Sequence, residues 1–197
     1  MQATLLILCC IMAQFKPAES AYGTEFCRSQ RIQLRLATRD TISPLKLDLE
    51  TTNFKDMNVL FIHDTAVTAD GMKTEMGKCY GELMQFMREN ELRPLKFMAW
   101  YYVVRPPWTI DIAIETNEIP AHLSGRIQSR IQPGGAVLIA HTQGPYDQLD
   151  TAYSEIENWL KRNKRTAKGS PFEVYLNDPG SVKDASELRT DIYQPLQ

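Results

Sequence analysis

The sequence predicts an α+β fold in which one strand-helix-strand-strand unit occurs twice. Two short apolar runs rich in β-branched residues, at 59–63 and 137–141, begin 78 positions apart and indicate related strands. Each run is followed by a segment with apolar residues at steps of three and four, which is typical of an amphipathic helix, and then by two more strand patterns. One unit cannot cover both faces of its own sheet. We therefore predict tandem repeats with antiparallel sheets, related by a pseudo-twofold axis, with a groove between them.

The first repeat is predicted over about 56–120. Its helix, at about 71–90, carries an apolar stripe of Met72, Met76, Cys79, Tyr80, Leu83 and Met87. Strands follow at about 96–104 and 108–116. The second of these strands alternates isoleucines with acidic residues, which is the period of a half-buried strand.

The second repeat is predicted over about 134–197, after a polar and basic linker at about 121–133. Pro145 suits the first turn of its helix, whose stripe consists of Leu149, Ala152, Tyr153, Ile156 and Leu160. Strands are expected at about 172–177 and 188–193, and an edge strand at either 31–38 or 45–49.

The first 21 residues are predicted to be a signal peptide or another apolar leader, with residues 22–197 forming one ligand-binding domain. Residues 3–15 are apolar but shorter than the roughly 20 residues of a membrane span, and Ala18-Glu19-Ser20 offers a small-x-small cleavage site. This pattern favours export to the periplasm or outside the cell. A cytoplasmic chain is the alternative, because Met1-Gln2 carries no positive charge.

Charge and cysteine content exclude several classes of function. The net charge of −2 argues against direct nucleic-acid binding, which needs a basic face, and no stable membrane span is expected in the mature chain. The two remaining cysteines, Cys27 and Cys79, could pair, or Cys79 could be a plain buried thiol. We predict no metal site and no cofactor, and the alternative is haem with His63 or His141 as an axial ligand.

Glu173 is the main candidate for a functional residue. It lies in an otherwise apolar strand pattern, where a carboxylate is costly unless something pairs with it. The period of a strand places Glu173 and Tyr175 on one face. The alternative is an ordinary exposed residue on a one-sided sheet.

Aromatic residues are predicted to surround this carboxylate. Trp100 and Tyr102 take the corresponding positions in the first repeat and would face Glu173 across the groove, although plain core packing is the alternative. Aromatic walls around one carboxylate suit a lipophilic cation. The predicted ligand-binding residues are Glu173, Tyr175, Trp100, Tyr102, Trp108 and Tyr146.

The second repeat also resembles a known family in its motifs. These are Gly134-Gly135-Ala136, His141-Thr142-Gln143-Gly144-Pro145-Tyr146, Trp159-Leu160, Gly169 to Tyr175, Asp178-Pro179, and Leu188 to Pro195. In this order they resemble the gyrase-inhibitor-like small-molecule-binding family, which includes the effector-binding domains of some bacterial multidrug-responsive transcription regulators. The resemblance implies the tandem fold, a groove between the repeats, Glu173 as the pocket acid and Tyr175 beside it.

Three functions follow as hypotheses. The first is a stand-alone domain that sequesters or senses amphipathic small molecules, cations among them. The second is a hydrolase of small toxic electrophiles, in which Glu173 and Tyr175 would be catalytic; the resemblance supports this because some family members hydrolyse such compounds. The third is a protein-interaction module of the gyrase-inhibitor type, with an unidentified protein partner.

Overall fold

The computed structural model describes residues 45–66, 68–102 and 107–197. These form eight strands and two α-helices. In chain order they are β1 (Lys46–Phe54), β2 (Met57–Ala66), α1 (Ala69–Glu89), β3 (Pro94–Tyr101), β4 (Trp108–Thr116), β5 (Gln128–Gln132), β6 (Gly135–Gln143), α2 (Leu149–Asn163), β7 (Phe172–Tyr175) and β8 (Arg189–Pro195). Short 3₁₀ turns at Tyr146–Gln148 and Ala185–Glu187 precede α2 and β8.

All eight strands belong to one antiparallel sheet in the order β1-β6-β8-β7-β3-β4-β2-β5. The repeat β2-α1-β3-β4 and the repeat β6-α2-β7-β8 meet where β3 pairs with β7. Ala99 of β3 lies directly opposite Glu173 of β7. Because Ile112 pairs with Ala99 and Ile192 pairs with Glu173 in the same way, the pseudo-twofold axis passes between Ala99 and Glu173.

The ends of the two helices are formed in different ways. The side chain of Thr68 caps α1 by accepting a hydrogen bond from the Gly71 amide at 3.0 Å. Pro145 precedes the 3₁₀ turn that leads into α2, and α2 ends at Lys164 in the left-handed conformation, φ 50°.

Both helices cover one face of the sheet, which we call the helix face. The stripe of α1 packs against β2 and β4 in a buried cluster that includes Leu60, Met72 and Ile112. The stripe of α2 packs against β6 and β8 in a second cluster that includes Leu138 and Ile156. Tyr175 contacts both clusters, so β7 lies where the two halves of the helix face meet.

The other side of the sheet, the opposite face, has its own buried cluster because the sheet is strongly curved. Strands β1 and β2 lie far apart in the strand order, yet only residues 55–56 join them. The connection from β5 to β6 passes close to the connection from β1 to β2. A Cβ atom added to Gly134 would lie 2.4 Å from the carbonyl oxygen of Phe54. The curve encloses Met98, Trp100, Phe172 and neighbouring apolar residues.

The predicted tandem α+β fold is confirmed, and the two predicted sheets are joined edge to edge into one. The predicted linker at 121–133 is not wholly a loop, because it contains β5, which pairs with β2. The edge strand predicted at 45–49 is β1, while the alternative at 31–38, the leader and Cys27 lie outside the described residues. None of the helices in the described ranges is both long and apolar enough to cross a bilayer.

Candidate functional site

Glu173 lies at the centre of the helix face with 4% of its surface exposed. It occupies the second position of the short strand β7, whose residues alternate between the two faces. Phe172 and Val174 therefore lie in the cluster of the opposite face, and Glu173 and Tyr175 face the helices.

Two tyrosine hydroxyls satisfy this carboxylate. Tyr153 of α2 donates a hydrogen bond to Oε1 at 2.9 Å, and Tyr175 donates to Oε2 at 2.7 Å. The Tyr175 hydroxyl also lies 3.4 Å from that of Tyr101 on β3, which in turn lies 3.9 Å from the sulfur of Met76. The carboxylate thus belongs to a polar chain that runs from α2 to α1.

Five tyrosines from five different elements lie close enough to Glu173 to interact with its charge. They are Tyr80 of α1, Tyr101 of β3, Tyr146 of the 3₁₀ turn, Tyr153 of α2 and Tyr175 of β7. The rings of Tyr146 and Tyr175 meet edge to face with centroids 5.8 Å apart. The Tyr80 hydroxyl donates to the Met98 carbonyl oxygen at 2.9 Å, which anchors it to the sheet.

Burial controls the titration of this group. Desolvation raises the pKa of Glu173 above its ordinary value, although the hydrogen bonds from Tyr175 and Tyr153 oppose the rise. Desolvation, together with the nearby Glu173 charge, also raises the pKa of each surrounding tyrosine. Among the described residues Glu173 forms no ion pair with a cationic side chain, and its hydrogen-bond partners are the two tyrosine hydroxyls. The site therefore holds one carboxyl group with no counter-ion among those residues.

The expected positions of Trp100 and Tyr102 are wrong. Trp100 pairs with Phe172 rather than with Glu173, and a shift of one residue moves a strand side chain to the other face. The Trp100 ring stacks on that of Phe172 on the opposite face, with centroids 4.5 Å apart. Tyr102 also points to that face, where its hydroxyl donates to Asp111 at 2.6 Å.

The other predicted residues lie on the helix face. Tyr146 is 7% exposed and lies close enough to Glu173 to interact with its charge. Trp108 lies in the apolar cluster beneath α1, and its indole nitrogen is buried with no hydrogen-bond partner among the described residues. Tyr80, Tyr101 and Tyr153 were not among the predicted site residues, although Tyr80 and Tyr153 belong to the two helix stripes that the sequence reveals.

Tyrosine side chains surround the buried carboxylate of Glu173, and two open clefts lie elsewhere on the molecule. One cleft of about 390 Å³ lies beside Trp159 and Arg165 near the end of α2. Another of about 440 Å³ lies on the opposite face, between Phe61, His63 and Tyr102. Glu173 borders neither of these clefts, and its burial closes it off from solvent.

Residues 48–197 match the family described as the GyrI-like small molecule binding domain. The chain belongs to this family. No curated protein is similar to the sequence at a significant level.

Solved structures share the fold at low sequence identity. The EcmrR C-terminal domain has a TM-score of 0.65 and 17% identity, over 77% of this chain and 98% of that domain. EcmrR in its complex with DNA has a TM-score of 0.68 and 17% identity, over 77% of this chain, but the chain spans only 57% of that longer protein. SAV2435 bound to tetraphenylphosphonium has a TM-score of 0.51 and 12% identity, over 76% of this chain and 94% of that protein.

A hydrolase from Listeria innocua is similar to about the same extent. Its TM-score is 0.56 with 12% identity, over 76% of this chain and 91% of that protein. At these identities the comparisons establish a shared fold.

Proposed function

We propose that this chain binds amphipathic organic cations between α1 and α2, with Glu173 as the counter-ion and the surrounding tyrosines as the walls. The domain would sequester or sense such molecules. The observation that carries this proposal is a buried carboxyl group ringed by tyrosines without a basic partner among the described residues.

The energetic argument begins with the carboxylate. An ionised group in the interior is costly unless a partner compensates it, and here only neutral hydroxyls surround it. A bound cation would supply the missing charge. A neutral ligand would leave that charge uncompensated, so the site should distinguish the two.

The tyrosines supply the second part of the recognition. The face of an aromatic ring carries partial negative charge and attracts cations, most strongly where water is excluded. Rings from both helices and from the sheet would contact a ligand between them, and their apolar bodies suit an aromatic or aliphatic cation. A lipophilic cation with a spread charge matches both features.

The closed state implies that a ligand must displace tyrosine side chains. Tyr153 on α2 and Tyr80 on α1 are anchored by single hydroxyl contacts, to Glu173 and to the Met98 carbonyl. We expect binding to break the Tyr153–Glu173 hydrogen bond and to separate the two helices slightly. The free energy needed to open the site in this way would lower the apparent affinity relative to that of a pocket that is already open.

Isothermal titration calorimetry with tetraphenylphosphonium tests the proposal. The neutral comparison ligand is triphenylphosphine oxide, and the variant is Glu173→Gln, which keeps the shape and removes the charge. We expect the Kd for the cation to rise at least about ten-fold in the variant, equivalent to about 1.4 kcal/mol. The Kd for the neutral ligand should change by less than about two-fold.

Asp191→Asn is the matched control, because Asp191 is a buried carboxylate on the opposite face that pairs with His141. Its cation affinity should match that of the unaltered chain. Equal cation affinity in the chain and in Glu173→Gln would refute the counter-ion role. A nuclear magnetic resonance spectrum of the incubated ligand checks for turnover, since conversion that is lost in Glu173→Gln would favour the hydrolase instead.

A further inference from the structure

Each repeat places a histidine and an aspartate on the opposite face at equivalent positions. His63 pairs with Asp111 across β2 and β4, and His141 pairs with Asp191 across β6 and β8. In both, Nδ1 of the imidazole lies within hydrogen-bond distance of the carboxylate, at 2.7 Å in the first repeat and 2.8 Å in the second. A carboxylate only accepts, so Nδ1 carries the proton and Nε2 of a neutral imidazole is an acceptor.

The two pairs differ in what surrounds them. Nε2 of His141 lies 3.2 Å from a carboxylate oxygen of Glu50. Nε2 of His63 makes no hydrogen bond to another described residue, and half of the His63 side chain is exposed. Nε2 of His63 is therefore a free acceptor, while Nε2 of His141 is covered by the Glu50 carboxylate, to which only a protonated imidazole can donate.

Asp111 is more strongly fixed than its counterpart. Its side chain is only 3% exposed, and it accepts hydrogen bonds from His63, Tyr102 and Arg130. The Arg130 guanidinium lies over the rings of Phe61 and Trp100, at 4.5 and 4.3 Å from their centroids. These contacts fix Asp111, and Asp111 in turn fixes the orientation of the His63 ring through Nδ1.

The oriented imidazole borders an open cleft of about 440 Å³. The lining residues are Phe61, His63, Tyr102, Thr109, Asp111, Gln128 and Arg130. The volume lies in the range of small-molecule sites. The His63 and Tyr102 rings lie 6.2 Å apart, and Tyr102 is 44% exposed, so an aromatic wall is accessible beside the free nitrogen.

We propose that this cleft is a second binding site, for small neutral aromatic molecules that carry an N–H or O–H donor. The donor would bind Nε2 of His63, and the ring would pack on Tyr102. A neutral ligand is favoured because Asp111 pairs with Arg130 within the lining, which leaves the two charges balanced, while Nε and Nη2 of Arg130 are buried and have no hydrogen-bond partner among the described residues. This site is separate from the proposed cation site, since it lies on the other side of the sheet.

Titration of the full chain with indole and with 1-methylindole tests this inference. The two probes share shape and apolarity, but only indole has the N–H donor. Binding is followed by nuclear magnetic resonance, using long-range ¹H–¹⁵N spectra of the histidine side chains in the ¹⁵N-labelled chain. The pH is 8, where free imidazole is neutral. We expect indole to bind at least about five-fold more tightly than 1-methylindole, as one neutral hydrogen bond provides, and to shift Nε2 of His63 but not that of His141.

The variants separate the two sites. His63→Phe keeps an aromatic ring but removes the acceptor, so the preference for indole should vanish, and His63→Ala serves if that variant does not fold. The matched control His141→Phe, and Glu173→Gln, should both keep the full preference. The inference is overturned if the chain shows no preference, if the preference survives in the His63 variants, or if Glu173→Gln abolishes it.

Discussion

The two repeats are built alike but differ at the position where the pseudo-twofold axis passes between β3 and β7. The first repeat has Ala99 there and the second has Glu173, and the two residues lie directly opposite each other. Both are buried on the helix face. On the opposite face, the equivalent pairs His63–Asp111 and His141–Asp191 have been kept, but their neighbours differ.

This difference shows why the two repeats cannot carry the same carboxylate at a position on the pseudo-twofold axis. Two carboxylates facing each other there would repel, and one of them would be forced to take up a proton. A small residue in one repeat and a carboxylate in the other leave room and a single charge. The scaffold is therefore shared by both repeats, whereas the proposed cation site depends on the position where they differ.

The largest effect is expected when this asymmetry is removed. Ala99→Glu places a second carboxylate in a fully buried position beside Glu173, with no cation among the described residues to compensate it. We expect the free energy of unfolding to fall by about 3 kcal/mol or more at pH 7, measured by urea denaturation. The exchange variant Ala99→Glu/Glu173→Ala, which moves the charge across the axis, should recover part of the loss. Equal stability of Ala99→Glu and the unaltered chain would contradict the account.

A smaller effect should distinguish the two faces of the sheet. Tyr175→Phe removes a buried donor to Glu173, and Tyr102→Phe removes an exposed donor to Asp111. Water can replace the hydroxyl at the exposed site only. We expect Tyr175→Phe to lower the free energy of unfolding by about 2 kcal/mol at pH 8, in the range for hydrogen bonds to charged groups, and Tyr102→Phe by less than about 1 kcal/mol. The reverse order would show that the hydroxyl of Tyr175 does not stabilise the carboxylate.

The next effect depends on pH. The pKa of Glu173 is raised on folding, so between its unfolded and folded pKa values the native chain holds the extra proton and stability falls as the pH rises. Glu173→Gln has no such titration. We expect the variant to gain stability relative to the unaltered chain between pH 4.5 and pH 8, measured by urea denaturation at each pH. A difference that stays constant with pH would mean that folding does not perturb this group.

The smallest effect concerns His141. Burial lowers its pKa, but the carboxylates of Asp191 and Glu50 raise it by more, so the folded pKa lies above the unfolded one. The resulting stability is fully present below the unfolded pKa and is lost as the pH rises through the folded pKa. His141→Phe should therefore destabilise the chain more at pH 5.5 than at pH 8.5. Destabilisation that is larger at pH 8.5 would contradict this.

The tandem fold could be predicted from the sequence because the two repeats share strongly periodic patterns. The position of Glu173 and Tyr175 on one face of a strand could also be predicted, because a carboxylate interrupts an otherwise apolar alternating pattern. The linker strand β5 was missed because its pattern, Gln-Ser-Arg-Ile-Gln, is mostly polar and its outward Ile131 is 58% exposed. An edge strand of that kind has little apolar signal.

The composition of the aromatic wall could not be predicted for a different reason. Aligning Trp100 and Tyr102 with Glu173 and Tyr175 was one residue out of register, and a slip of one residue changes the face. The alternation along β3 shows which side chains share a face. Only the pairing of β3 with β7 shows whether that face is the helix face or the opposite face. The two helix tyrosines, Tyr80 and Tyr153, could have been inferred from their place in the apolar stripes.

The position of a bound cation tests the central claim most directly. A crystal of the chain with (4-bromophenyl)triphenylphosphonium would reveal the ligand through the anomalous signal of bromine. We predict this signal between α1 and α2, with the phosphorus beside Glu173 and with Tyr153 moved away from the carboxylate. A signal confined to the cleft beside Trp159, to the opposite face or to the outer surface would contradict it.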